Sequence, residues 1–165
     1  FKQFLKLTGM KRFFILMILA LVPLAVSAQS DMDDFFAGYS GQQGFQTIIY
    51  GKRMLDMMKE DASSDVRALL NRISTIRIIS HEEPLNGIIY SARRSVNQSQ
   101  QYETISQINE NGSLSEFYIS ENLGNSKNVS FVMIISSPQG SAVMEIVGEF
   151  DVKDISRLAV IGQKK

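Results

Sequence analysis

A chain of 165 residues with 17 basic and 17 acidic side chains, no cysteine and one histidine rules out several classes of function. Without cysteine there is no disulfide framework, no thiolate metal site and no lipid attached through a cysteine. Residues 1–28 hold Lys2, Lys6, Lys11 and Arg12 and no acid, so the remaining 137 residues are net acidic by four and offer no electrostatic footprint for nucleic acid.

The chain opens on Phe1, and Met10 followed by Lys11 and Arg12 reads as a start with a basic n-region. Residues 1–9 are then an upstream extension. Phe13 to Val22 has the length of a signal-peptide h-region and is short for a membrane span. Pro23 breaks it, and Val26-Ser27-Ala28 sets small residues before a cleavage expected between Ala28 and Gln29. An uncleaved anchor helix is the weaker reading. The mature protein is expected to be exported, periplasmic or secreted, with no transmembrane span and no lipid anchor. A domain of its length buries about two-thirds of the surface of its unfolded chain, enough for one core.

Ser30 to Phe45 forms a distinct opener. Asp31, Asp33 and Asp34 precede Phe35, Phe36 and Tyr39, which fall near one side of a short helix, and acids suit its positive end. Gly38, Gly41 and Gly44 make the segment flexible. Phe35, Phe36 and Tyr39 are the candidate partner contacts; the structural alternative, that they tuck onto the core, is the commoner fate of such aromatics. The aspartates are not a calcium loop, since the later glycine and the glutamate at position twelve are missing. Gln46 to Tyr50 reads as a first strand. Lys52 to Lys59 reads as a helix with Met54, Leu55 and Met58 on one face, a stripe that serves as core filler more often than as a binding groove. Asp61 to Ser64 leads into another helix with Val66, Leu69, Leu70 and Ile73 inward. Ile76, Ile78 and Ile79 mark a second strand.

Pro84 suits the first turn of a helix whose stripe is Leu85, Ile88, Ile89, Ala92 and Val96, with Arg93, Arg94 and Asn97 away from it. Tyr102 to Ile108 and Leu114 to Ile119 alternate around Asn111-Gly112, a strong type I′ hairpin signal because both residues accept positive φ. Leu123 to Lys127 is a polar loop. Val129 to Ile135 is apolar on both faces, so it belongs in the middle of a sheet and is covered on both sides. Pro138, Gln139 and Gly140 turn the chain, and Val143 to Val147 return. Asp151 caps a last helix with Val152, Ile155 and Leu158 inward. The fold class is therefore α+β: a mostly antiparallel sheet with helices packed on one face, in a single compact domain (46–165). It follows the signal peptide (10–28) and the flexible aromatic and glycine-rich segment (29–45).

Several phrases occur together in a known family. They are the export signal, the aromatic-glycine opener, Ile49-Tyr50-Gly51-Lys52 before a Met/Leu helix, Ile76-Arg77-Ile78, and Val147-Gly148-Glu149-Phe150-Asp151-Val152-Lys153-Asp154-Ile155. The set resembles the domain-of-unknown-function 4252 family of small exported bacterial proteins, over nearly all of the mature chain. The resemblance implies export and transfers no catalytic residues. Many members look like lipoproteins; Ala28-Gln29 carries no such anchor here.

Chemistry finds little support. His81 is the sole histidine, and neither H-E-x-x-H nor a Cys pair is present, so no metal is expected. His81, Glu82 and Glu83 could serve a loose hydrolytic site, but they read more naturally as a solvated loop before Pro84. No serine sits in a G-x-S-x-G elbow, and no P-loop or G-x-G-x-x-G occurs, so no cofactor is expected. Glu145 and Glu149 are the notable carboxylate pair, four apart and on one strand face, most simply a water-facing one. The N-x-S triplets at Asn97, Asn111 and Asn128 are chance. The leading function is an exported interaction or accessory module for an unknown protein or envelope component. The alternative is a small envelope hydrolase using carboxylates with His81.

Overall fold

In a computed structural model the protein is described over residues 32–121, 127–151 and 153–155. The chain runs α1 (Asp33–Tyr39), β1 (Gln46–Gly51), α2 (Lys52–Met58), α3 (Ser64–Arg72), β2 (Ile73–His81), α4 (Asn86–Gln98), β3 (Glu103–Glu110), β4 (Ser113–Ser120), β5 (Val129–Ser137) and β6 (Gly140–Gly148). The strands form one six-stranded sheet in the order β1-β2-β6-β5-β4-β3, and every neighbouring pair is antiparallel. This is the α+β class with the antiparallel sheet that the sequence pattern predicts. β5 and β6 lie at its centre, as the two-sided apolar pattern of Val129 to Ile135 requires.

Because side chains alternate across a strand, the register sorts each residue to one face. One face carries Ile79, Arg77, Val143, Glu145, Val132, Ile134, Tyr118 and Glu116. Met32, Phe35 and Phe36 from the α1 end and Ile88, Ile89, Ala92 and Val96 of α4 close over it. The other face carries Ile76, Ile146, Phe131, Met133, Met144 and Phe117, covered by Leu55 of α2 and Leu69 and Leu70 of α3. The helices thus lie on both faces of the sheet rather than on one. A strand apolar on both sides leaves no other solution, since each apolar face has to be removed from water.

Two turns depend on backbone that side chains resist. Asn111 and Gly112 sit at φ of 52° and 78°, as a type I′ hairpin demands. Gly140, at φ 148°, begins β6 where a Cβ would collide with the His81 carbonyl oxygen of β2, so the sheet closes there only around glycine.

Several expectations change. The opener is not a loose arm: α1 belongs to the core, with Met32 at 0% exposure and Phe35 and Phe36 at 4%. Pro84 precedes α4 instead of standing in its first turn, because the helix begins at Asn86. The methionine stripe of α2 is not core filler. Leu55 alone turns inward, while Met54, Met57 and Met58 are exposed, because a seven-residue helix at the β1 margin covers the sheet with one side only. The expected signal peptide, its cleavage after Ala28 and Asp31 fall outside the described residues. So do most of the Leu123–Lys127 loop and Val152 and Leu158 of the closing helix. Asp151 accepts the Lys153 backbone N–H at 3.0 Å, the cap expected for that helix.

Candidate functional site

The sequence feature with the largest consequence is a single charge in each of two apolar strands. Arg77 interrupts the isoleucines of β2 and Glu145 interrupts the apolar run of β6, and the register sets them opposite each other. Glu145 is fully buried. A carboxylate in that position is costly unless a counter-ion and hydrogen bonds compensate it. Arg77 Nε donates to Glu145 Oε2 at 2.8 Å, and Arg77 Nη2 pairs with the same oxygen. Ser130 Oγ of β5 donates to Glu145 Oε1 at 2.7 Å, and Tyr102 OH donates to Ser130 Oγ at 2.9 Å. On the other side Arg77 Nη1 reaches Asp33 Oδ1 of α1 at 2.6 Å, and its guanidinium lies 4.4 Å from the centre of the Phe36 ring. A polar chain, Asp33–Arg77–Glu145–Ser130–Tyr102, therefore ties α1 to three strands. Burial alone would lower the Arg77 pKa, but Glu145 and Asp33 outweigh it and hold it above its ordinary value.

The same face holds a second buried carboxylate. Arg93 of α4 donates through Nε to Glu116 Oε2 at 2.7 Å, while Tyr118 OH and Gln107 Nε2 donate to Oε1 at 3.3 and 3.4 Å. Burial, and then Glu116 beside it, push the Tyr118 phenol above its ordinary 10.0.

Glu145 and Glu149 do not form a pair. Glu149 is exposed beyond the end of β6, and Glu145 faces the core rather than water. Sequence reasoning missed the burial, although a signal existed. A strand next to a fully covered central strand is itself covered, and Arg77 is the lone counter-charge within an isoleucine-rich neighbour.

His81 is the last residue of β2, paired with Ser141, and not part of a solvated loop. Its ring lies tilted against that of Phe45, 5.0 Å centre to centre, and its Nδ1 accepts the Glu83 backbone N–H at 3.0 Å. That leaves Nε2, which lies against Gly44. Glu82 and Glu83 flank it in an open cleft of about 770 Å³. Among the described residues no group of three or more His, Asp or Glu is placed to hold a metal. Phe35 and Phe36 are buried in the core, and Tyr39 OH donates to Ser91 Oγ at 2.9 Å, so the expected aromatic contacts are spent on internal packing. No helix among the described residues is long and apolar enough to cross a membrane.

All of these features except those on α1 before Tyr39 sit inside a recognised domain. Residues 39–158 match the family described as "Domain of unknown function (DUF4252)". The chain belongs to this family. The DUF4252 match covers β1 to β6 and begins at Tyr39, so most of α1 precedes it even though that helix completes the core. No curated protein matches the chain. A solved structure from Pseudomonas aeruginosa, protein PA94, is of unknown function and described as a candidate regulator. It is similar over 76% of this chain and 82% of its own, with 11% identity and a TM-score of 0.39. A likeness of that size carries no argument about function.

Proposed function

We propose that this DUF4252 protein is an exported envelope module that acts by binding a protein or another envelope component, not by catalysis. In this reading the signal is cleaved after Ala28 and the mature protein is periplasmic or secreted, without a lipid anchor. The observation that carries it is the engagement of the acid-base groups inside the fold. Both oxygens of Glu145, and both of Glu116, are held by internal donors. A general acid or base needs an oxygen open to substrate, and these two carboxylates are committed to the fold.

The hydrolase alternative rests on the open cleft at His81 with Glu82 and Glu83. It is weaker because Nδ1 is engaged by the Glu83 backbone and not by the carboxylate that a triad uses to hold the imidazole. Co-purification from an envelope fraction tests the choice, using the wild-type protein and His81→Ala. Retention of the same partner by both is the expected result. No partner, together with a hydrolytic activity that disappears in His81→Ala, overturns the binding reading.

A further inference from the structure

The methionines of α2 stand apart from the other thioethers of the fold. Met32 is buried in the core, and Met133 and Met144 pack against the apolar face, whereas Met54, Met57 and Met58 are 44%, 63% and 43% exposed. Leu55 anchors the helix to the sheet and leaves these three sulfurs on the solvent side. Their spacing brings them together. Met57 and Met58 follow Met54 by three and four residues, which sets their Cβ atoms about 5–6 Å from that of Met54 on one helix face. Long side chains in a helix lean back over the preceding turn, so Met57 and Met58 lean toward Met54. Each is unbranched, with three rotatable bonds, and can turn its Sδ onto a common point. The patch is also an island. Lys52, Arg53 and Asp56 are exposed around it, and Ile49 lies on the Arg77 face of the sheet, across from α2.

We propose that Met54, Met57 and Met58 form a binding site for a soft monovalent cation, Cu(I), with their three thioether sulfurs as its ligands. This goes beyond the binding reading above and does not depend on it. The donor set selects the ion. Thioethers are soft, neutral ligands that suit Cu(I), whereas Mg(II), Ca(II) and Mn(II) take carboxylate, carbonyl or water oxygens. Asp56 is the one carboxylate of α2, and it turns instead to Lys52 and Lys59 on the opposite side of the helix. No histidine or cysteine stands in α2 to draw Zn(II). An apolar docking groove is the competing use of exposed methionines. The isolation of the patch disfavours it, since docking surfaces are contiguous apolar areas.

The test uses the protein with isotope-labelled methionine methyls, titrated with Ag(I) in chloride-free buffer and followed by NMR. Ag(I) stands in for Cu(I) because it shares its charge and softness without its redox chemistry. The expected result is one ion per chain. The methyls of Met54, Met57 and Met58 should shift together at stoichiometric Ag(I), while those of Met32, Met133 and Met144 stay in place. Cu(I), kept reduced by ascorbate under nitrogen, should move the same three signals, and Zn(II) or Ca(II) should move none. Met54→Leu, Met57→Leu and Met58→Leu keep volume and apolar character, so the fold is retained, and an unmoved Met32 methyl reports it. Each should weaken Ag(I) binding about tenfold or more, since even outer-shell changes around a metal act on that scale. His81→Ala should leave binding unchanged. The proposal is overturned if the three methyls shift independently or only in large excess of Ag(I), or if Zn(II) moves them. It is equally overturned if the triple leucine variant retains the ion or if His81→Ala loses it.

Discussion

The two faces of the sheet are built from the same strands, yet their cores differ in kind. Beneath α2 and α3 the contacts are apolar: Leu55, Leu69, Leu70, Ile73, Phe131 and Ile146. Beneath α1 and α4 an apolar cluster surrounds two buried carboxylates with their arginines. The apolar face gains stability in proportion to the area removed from water. The mixed face gains little net energy from its ion pairs, since desolvation offsets most of the attraction, but it is intolerant of losing one partner. Orientation is what the mixed face adds. Asp33 and Arg93 each have one productive partner, so α1 and α4 can dock in one register, whereas apolar contacts alone would accept several.

The comparison breaks most visibly at Arg77 and Phe131. Arg77→Met strips the guanidinium from a fully buried carboxylate and should cost about 3–5 kcal/mol in denaturant unfolding. Phe131→Ala on the opposite face should cost about 3–5 kcal/mol by cavity formation. The two losses differ in how they are repaired. Arg77→Met/Glu145→Leu should recover most of the first, while no change on the mixed face should restore the second. If the double variant stays as unstable as the single, the pair contributes more than orientation.

A smaller effect is expected at the β3–β4 turn, which serves both faces. Gly112→Val places a β-branched residue at φ 78° and should cost about 1–3 kcal/mol; an unchanged melting temperature would remove the turn from the argument. His81→Ala should cost about 1 kcal/mol, through the lost ring contact with Phe45, with the fold intact.

The smallest effect sharpens the polar side alone. The Tyr118 phenol is held above 10.0, so the fold favours its neutral form. The corresponding stability is present below pH 10 and is lost as pH rises through the folded-state value. Absorbance titration of the five tyrosines should show a late-ionising fraction that Tyr118→Phe removes. Titration of all tyrosines together near 10 would place Tyr118 in water.

Much of this architecture was legible in the residues. Asn111-Gly112, the stripe of α4 and the two-sided pattern of β5 each point to one local structure, and each is found. Glu145, Phe35 and Phe36 were harder to place because alternation says which residues share a side of a strand or helix, not what covers that side. A polar residue at the alternate position looks the same whether water or a guanidinium faces it. Arg77 sits 68 residues from Glu145, and no local pattern links them. The exposed methionines of α2 mislead for the converse reason, since a helix stripe wider than the surface it rests on leaves part of itself outside.

The strand order also carries a consequence for how the chain reaches this state. β3, β4, β5 and β6 are neighbours in both sequence and space, while β2 joins β6 only across a long loop of chain. Local pairings close at lower entropic cost, so the four-stranded meander is expected to assemble first, with β6 as its open margin. Pulse-labelled amides of β5 should then be protected before those of β2. During that interval Glu145 stands on the open margin before Arg77 has arrived, a solvated charge of the kind that keeps unfinished edges from joining one another. On this expected order, the carboxylate that ends in the core would first stand as a charge on an open strand edge.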